Sequence, residues 1–265
     1  MARGLRSPPV DDLDFTGQVV LVTGGSRGIG RGIAARFVAA GAHVVVCGRT
    51  APEDLPGGMT FETADVRDAD QVGQLIDGIV ATHGRLDVVV NNAGGSPHVE
   101  AADASPRFST SIVALNLLAP LFVATRANAV MQQQDPGGNI INIGSLSGLR
   151  PSPGTAAYGA AKAGLINLTE SLAMEWAPKV RVNCVSAGMV RTEQAHLHFG
   201  SEAGIEAAAA TVPLGRMAEP DDVANLCLFV ASPLAANVSG SNFVVHGGGE
   251  RPPFHGAVAD HLDRS

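Results

Sequence analysis

Short runs of aliphatic and β-branched residues recur along the chain, each followed by a stretch with helical spacing. The runs cover residues 19–22, 44–47, 86–90, 140–143, 180–185 and 243–245, with a weaker one at 59–63. They are near-continuous rather than alternating, which marks strands buried on both faces of a sheet. Between them, residues 28–40 carry Ile29, Ile33, Phe37 and Val38 at helical spacing, and residues 69–82 carry Val72, Leu75, Ile76 and Ile79. Longer helical segments are expected over 109–133 and 158–176. A further helix over 220–230 begins with Pro220 and two aspartates, a favourable start. This alternation predicts an α/β fold: a Rossmann-like, doubly wound parallel sheet of about seven strands, with helices on both faces and right-handed crossovers. In such a sheet, ligands bind beyond the carboxyl ends of the strands.

Composition narrows the function. Of 265 residues, 45% are hydrophobic and 16% charged, with a net charge of −7. So apolar a chain is not disordered, and its acidic balance argues against binding a nucleic-acid backbone. Cys47, Cys184 and Cys227 are odd in number and lie in apolar runs, as buried free thiols do. A single domain over 15–249 is expected, with tails at 1–14 and 250–265 that show no periodicity. The first arginines are not followed by a signal-type apolar stretch, and no apolar run reaches the ~18 residues of a membrane span, so a cytoplasmic location is expected.

The first strand runs into Thr23-Gly24-Gly25-Ser26-Arg27-Gly28-Ile29-Gly30, and a helix opens at once. Glycines there permit positive φ and let backbone N–H groups approach a pyrophosphate, while the helix N-terminus adds partial positive charge. The end of the second strand distinguishes the two nicotinamide dinucleotides: an acidic residue suits the NAD ribose, a cation the NADP 2′-phosphate. Here it reads Cys47-Gly48-Arg49-Thr50, with no carboxylate. Arg49, seconded by Arg27, therefore favours NADP(H) over NAD(H), because arginine binds phosphate bidentately. Asp65 and Val66, after the third strand, are the candidates for the adenine end.

The chain has one tyrosine and two lysines, Lys162 and Lys179. The tyrosine, Tyr158, stands four residues before Lys162, so the two share a helix face. A free phenol, with a pKa near 10, is a poor acid–base group at neutral pH, and a neighbouring ammonium is expected to lower it. Gly159, Ala160, Ala161, Ala163 and Gly164 around the pair are all small and would admit a flat cofactor or another helix.

Together these motifs resemble the single-domain short-chain dehydrogenase/reductase family. The resemblance covers about residues 15–249 and rests on the glycine loop, Asp65, Asn91-Asn92-Ala93-Gly94, Asn116, Ser145 thirteen residues before Tyr158, Lys162, and residues 188–192. It implies an oxidoreductase transferring hydride between nicotinamide and a ketone or secondary alcohol. Tyr158 would be the catalytic acid–base and Lys162 would tune it and bind the nicotinamide ribose. Ser145 would hold the substrate oxygen, and Asn116 a water that relays protons to the lysine. Ser147 is a rival to Ser145, disfavoured by spacing. The resemblance also implies cofactor contacts from Gly24, Ser26, Arg27, Gly28, Ile29, Gly30, Arg49, Asp65, Val66, Asn91, Ala93, Gly94, Val190 and Thr192. Asn91 through Gly94 would in addition stabilise the sheet. It further implies a homodimer or homotetramer formed through the two long helices.

Three departures from the family pattern stand out. Ala187-Gly188 replaces Pro-Gly, Val245-His246-Gly247-Gly248 replaces Val-Asp-Gly-Gly, and the connection between Trp176 and Arg181 is a residue short. No metal cluster is expected, because the eight histidines lack ligand spacing, His196 and His198 being a weak pair. The substrate pocket is expected from the loops after Gly94 and after Gly148, with residues 193–213 as a lid. Its composition suggests an apolar substrate, a 3-oxoacyl thioester or a cyclic, steroid-like ketone. Arg150 is either a contact for an anionic tail or a solvated surface charge.

Overall fold

The computed structural model describes residues 13–250. Seven strands form one all-parallel sheet: β1 (Val19–Thr23), β2 (His43–Gly48), β3 (Met59–Thr63), β4 (Val88–Asn91), β5 (Gly138–Ser145), β6 (Val180–Ala187) and β7 (Asn242–Val245). Their order is β3-β2-β1-β4-β5-β6-β7, so the direction of winding reverses between β1 and β4. The helices are α1 (Gly28–Ala39), α2 (Ala69–His83), α3 (Pro106–Val113), α4 (Ala119–Met131), α5 (Ala156–Trp176), α6 (His196–Phe199), α7 (Glu202–Ala210) and α8 (Pro220–Ala231).

The near-continuous apolar runs have a direct cause. Val19 and Leu21 of β1 face one core, with Ile76, Val123, Ala127 and Leu172 from α2, α4 and α5. Val20 and Val22 face the other, with Ile33, Phe37, Val223 and Cys227 from α1 and α8. Both faces are covered, so positions 19–22 of the strand are all apolar, each fully buried Val or Leu contributing about 1.5–3 kcal/mol. The edge strand β3 is half exposed and alternates, which accounts for its weak signal. All three cysteines are free and buried; burial pushes the Cys47 thiol up to about 12.

The long segment expected over 109–133 starts earlier and is not a single α-helix. Ser105 caps α3 by accepting from the Phe108 N–H, with Pro106 in the first turn. A π-helical turn, Ala114–Leu118, then separates α3 from α4. The combined stretch Pro106–Met131 has a mean hydropathy of 1.7 and is long enough to cross a membrane, unlike any run expected from the sequence. Here its buried side chains, Val123, Ala124, Ala127 and Met131 among them, pack on the sheet.

Candidate active site

The carboxyl ends of β1 and β4 are joined around one hydroxyl. Thr23 Oγ1 accepts from the N–H groups of Asn92 and Ala93, both at 3.0 Å. Asn92 in return donates its amide to the carbonyls of Thr23 (3.0 Å) and Gly24 (3.1 Å). A Cβ on Gly30 would stand 2.4 Å from both the Asn92 amide nitrogen and the Gly24 carbonyl, so only glycine fits there. Gly24 and Gly28 have φ of +63° and +54°, which glycine adopts without strain. The loop Gly24 to Gly30 thus forms a tight cradle opening onto the N-terminus of α1. An anionic oxygen already sits in it, because Glu193 Oε1 accepts from the Gly28 N–H at 2.8 Å. The cradle therefore fits a dinucleotide pyrophosphate.

Around the cradle, Ser26 and Ile29 are half-buried in the loop itself, while Arg27 and Arg49 are exposed. Neither arginine forms an ion pair among the described residues. Asp65 is gripped by Arg67, with Nη2 to Oδ2 at 2.5 Å, and that bond holds its carboxyl below the usual range. The Val66 side chain is buried in the core beneath α2. Asn91 also turns inward: its amide donates to Asn142 Oδ1 (2.9 Å) and the Pro120 carbonyl (3.2 Å), tying β4 to β5 and α4. Ala93 and Gly94 continue the rim. Val190 bridges to Ala218, and the Thr192 methyl lies 3.6 Å from the Cβ position of Gly28, so the base of the lid overlies the glycine loop.

A second cluster forms where β5 ends against α5. Ser145 is the last residue of β5, in register with Ala187. Its Oγ accepts from the Ser147 N–H at 3.2 Å. Its hydroxyl also faces Tyr158, while the Ser147 hydroxyl accepts from Ser152 at 3.0 Å. Ser145, not Ser147, is thus the serine beside the tyrosine. Lys162 is 2% exposed, and Nζ donates to the Ile143 carbonyl at 2.7 Å. Nζ lies 5.7 Å from the centre of the Tyr158 ring.

The electrostatics differ from the sequence expectation. Burial of the hydroxyl end pushes Tyr158 up, with the Ser145 hydrogen bond opposing the rise. Burial also pulls Lys162 down to about 8. Desolvation disfavours both charged forms, and the ammonium is directed at a backbone carbonyl rather than at the phenol.

Asn116 is fully buried in the π-helical turn. Its Nδ2 donates to Ile112 O (2.9 Å) and Gly95 O (3.0 Å), and its Oδ1 accepts from Gly95 N (2.9 Å). Both amide hydrogens of the side chain are thereby engaged within the protein. Asn116 fixes the Gly94-Gly95 backbone over Lys162, whose Nζ is 3.4 Å from the Cβ position of Gly94.

The small residues of α5 have occupants too. The Ser147 carbonyl lies 2.8 Å from the Cβ position of Gly159, and Leu117 packs at 3.3 Å from that of Gly164. Arg150 pairs with Glu250, so its cationic group already has an anionic partner. The Ala187-Gly188 departure leaves the backbone regular: β6 runs through Ala187, and Gly188 N–H donates to Val245 O at 2.8 Å. His246 packs on Gly188, its Cβ 2.8 Å from that residue's Cβ position, where a larger residue would collide with it. No group of three or more potential metal ligands occurs among the described residues.

Two clefts flank the first turn of α5. One, of about 80 Å³, is lined by Ser96, Val99, Phe108 and Ala156. The other, of about 600 Å³, is lined by Leu149, Pro151, Pro153, Ala160 and Ala163. The loops after Gly94 and Gly148 contribute to these clefts, while Ser145, Tyr158, Lys162 and residues 193–213 line neither.

Comparison with known proteins agrees with this geometry. Residues 24–250 match the family model described as enoyl-(acyl carrier protein) reductase. The chain is 37% identical over 247 residues to an uncharacterized short-chain type dehydrogenase/reductase of Sinorhizobium fredii, covering 88% of this chain but 43% of that longer one. It is 36% identical to the 3-oxoacyl-[acyl-carrier-protein] reductase of Synechocystis sp., covering 88% of this chain and 97% of that one. The ligand-free aldohexose dehydrogenase of Thermoplasma acidophilum superposes with a TM-score of 0.83 at 32% identity, covering 90% and 95%. A parallel sheet with its winding switch at a glycine loop, and a serine, tyrosine and buried lysine at the end of β5, therefore have their explanation in descent: the chain belongs to the short-chain dehydrogenase/reductase family, oxidoreductases acting on CH–OH and C=O groups.

Proposed function

We propose that the chain is an NADP(H)-dependent reductase of ketones and dehydrogenase of secondary alcohols with apolar substrates, 3-oxoacyl thioesters or cyclic, steroid-like ketones. The observation that carries this reading is the convergence of Ser145, Tyr158 and buried Lys162 beside a glycine loop that already holds a carboxylate. The bound nicotinamide supplies or accepts the hydride. Tyr158, kept protonated at neutral pH by its burial, gives its proton to the oxygen of the reduced carbonyl. Ser145 donates a hydrogen bond to that oxygen as negative charge develops. Lys162 uses one ammonium donor on Ile143, leaving two for the cofactor ribose. Asn116 acts as a positioning residue through Gly94 and Gly95.

Gly24, Ser26, Gly28, Ile29, Gly30, Ala93, Gly94, Val190 and Thr192 frame the dinucleotide in this reading, and Asp65 borders its adenine end. Arg49 and Arg27 meet a 2′-phosphate. The relatives' names carry two substrate types, an acyl thioester and an aldohexose. The cleft lining favours the first. The larger cleft is lined mostly by apolar residues, Leu149, Pro151, Pro153, Ala160 and Ala163 among them, and its two serine hydroxyls, Ser152 and Ser147, are engaged with each other at 3.0 Å. A homo-oligomer through the long helices suits Leu118 and Met174, exposed at 39% and 84%.

The test is initial-rate kinetics with both reduced nucleotides against a panel of ketones and 3-oxoacyl thioesters. kcat/KM with NADPH is expected to exceed that with NADH by about tenfold or more, and Arg49→Asp to reverse the preference. An unchanged preference in that variant, or a parent enzyme that prefers NADH, overturns the cofactor reading.

A further inference from the structure

Helix α1 is capped from a distance. Helices α2, α3 and α7 each begin with their own capping side chain, Asp68, Ser105 and Ser201. Helix α1 does not: Arg27 makes no side-chain capping bond, and the first turn contains no acidic residue. The acceptor for its first N–H comes from 165 residues along the chain, as Glu193 Oε1 at 2.8 Å from Gly28 N. A local turn holds this contact in place, with the Gln194 N–H donating to Thr192 Oγ1 at 3.3 Å and the Ala195 N–H to the Thr192 carbonyl at 3.0 Å. Thr192 itself rests against Gly28.

We infer that Glu193 is a built-in stand-in for the cofactor pyrophosphate, and that it weakens dinucleotide binding by holding the donor the cofactor needs. The inference rests on the proposed reading of the glycine loop. A carboxylate and a phosphate oxygen are both anionic acceptors favoured at a helix N-terminus, and one N–H directed into the cradle serves one of them at a time. The dinucleotide therefore binds only the fraction of molecules in which Glu193 has let go, and its apparent affinity falls by that fraction. Once displaced, the carboxylate still lies next to a doubly charged pyrophosphate and repels it. The contact is solvent-exposed, so the effect is modest, about two- to fivefold.

The test is titration of NADPH into the full-length parent, Glu193→Gln and Glu193→Ala, followed by nicotinamide fluorescence. Gln keeps the shape and removes the charge; Ala removes the acceptor. Both variants are expected to bind NADPH about two- to fivefold more tightly than the parent. A residue that merely anchored the lid over the cofactor would act in the opposite direction, because its loss would weaken binding. Unchanged or weaker binding in both variants, with normal binding by the parent, overturns the inference and leaves the glycine-loop reading standing. Failure of the parent to bind either NADPH or NADH overturns both.

Discussion

The end of β5 with α5, and the segment 193–213 that follows β6, both continue strands beyond the carboxyl edge of the sheet and are built in opposite ways. Around β5 and α5 the backbone leaves no room to shift: Lys162 is 2% exposed, and Gly148 packs so closely on α5 that a Cβ would stand 2.7 Å from the Lys162 carbonyl carbon. The helix there runs for 21 residues. The segment 193–213 has helices of four and nine residues, and a small core in which Ala195 and Ile205 meet Met217, with Phe199, Ala208 and Ala209 partly buried against them. Leu197 is 67% exposed. The groups proposed to move a proton stand on the rigid part, where an error of a fraction of an ångström would be felt. The part proposed to open for ligands has little buried surface to lose.

The contrast makes its largest prediction at the tyrosine. Tyr158→Phe is expected to lower kcat/KM by about 10³-fold while leaving the melting temperature near the parent's. A variant that turned over substrate at the parent rate would remove the proton-transfer role.

Next comes the buried ammonium. Lys162 titrates near 8 in the folded chain against an ordinary 10.5. Charging it is thus opposed by folding, with a cost of about 3 kcal/mol fully present below pH 8. Between pH 8 and 10.5 the unfolded chain binds more protons than the folded one, so the parent gains stability as pH rises through that window. Lys162→Met is expected to be inactive yet more stable at pH 7 by about 1–2 kcal/mol, once loss of the bond to Ile143 is allowed for. The advantage should shrink toward pH 10 in urea melts. A variant less stable than the parent at pH 7 contradicts it. In the parent, kcat/KM for reduction should fall above about pH 8 as Lys162 loses its proton.

The smallest effect belongs to the lid. Ile205→Ala is expected to raise substrate KM by about two- to fivefold with kcat and global stability almost unchanged, because only local order is lost. A fall in kcat comparable to that of Tyr158→Phe would dissolve the distinction between the two regions.

What the sequence made legible follows the same division. Signals carried by neighbours in the chain are clear: the glycine loop, Tyr158 with Lys162, and the double-sided strands, β1 differing from its expectation only by Thr23. The helix expected from 109 begins at Pro106, and the signal for that start, a cap and first-turn pair in Ser105-Pro106, was present but not read. The π-helical turn was not legible, because an asparagine in an apolar helix looks like an ordinary polar break. Nor were contacts across the fold, Arg150 with Glu250 or Glu193 with Gly28. The pKa of Tyr158 fails for the same reason: spacing places an ammonium near the phenol, but only the packed structure shows what desolvation does to each.

Thr23 carries a consequence of its own. Its side-chain oxygen takes both N–H groups that follow β4, at the seam where the sheet turns from one half to the other. The two halves of the crevice are gauged against each other there, as two jaws are by a common pin. Arg27 and Arg49, proposed to select the cofactor, are exposed and form no ion pair among the described residues. Exchanging the pin would leave both of those N–H groups without their acceptor and loosen the seam between β1 and β4.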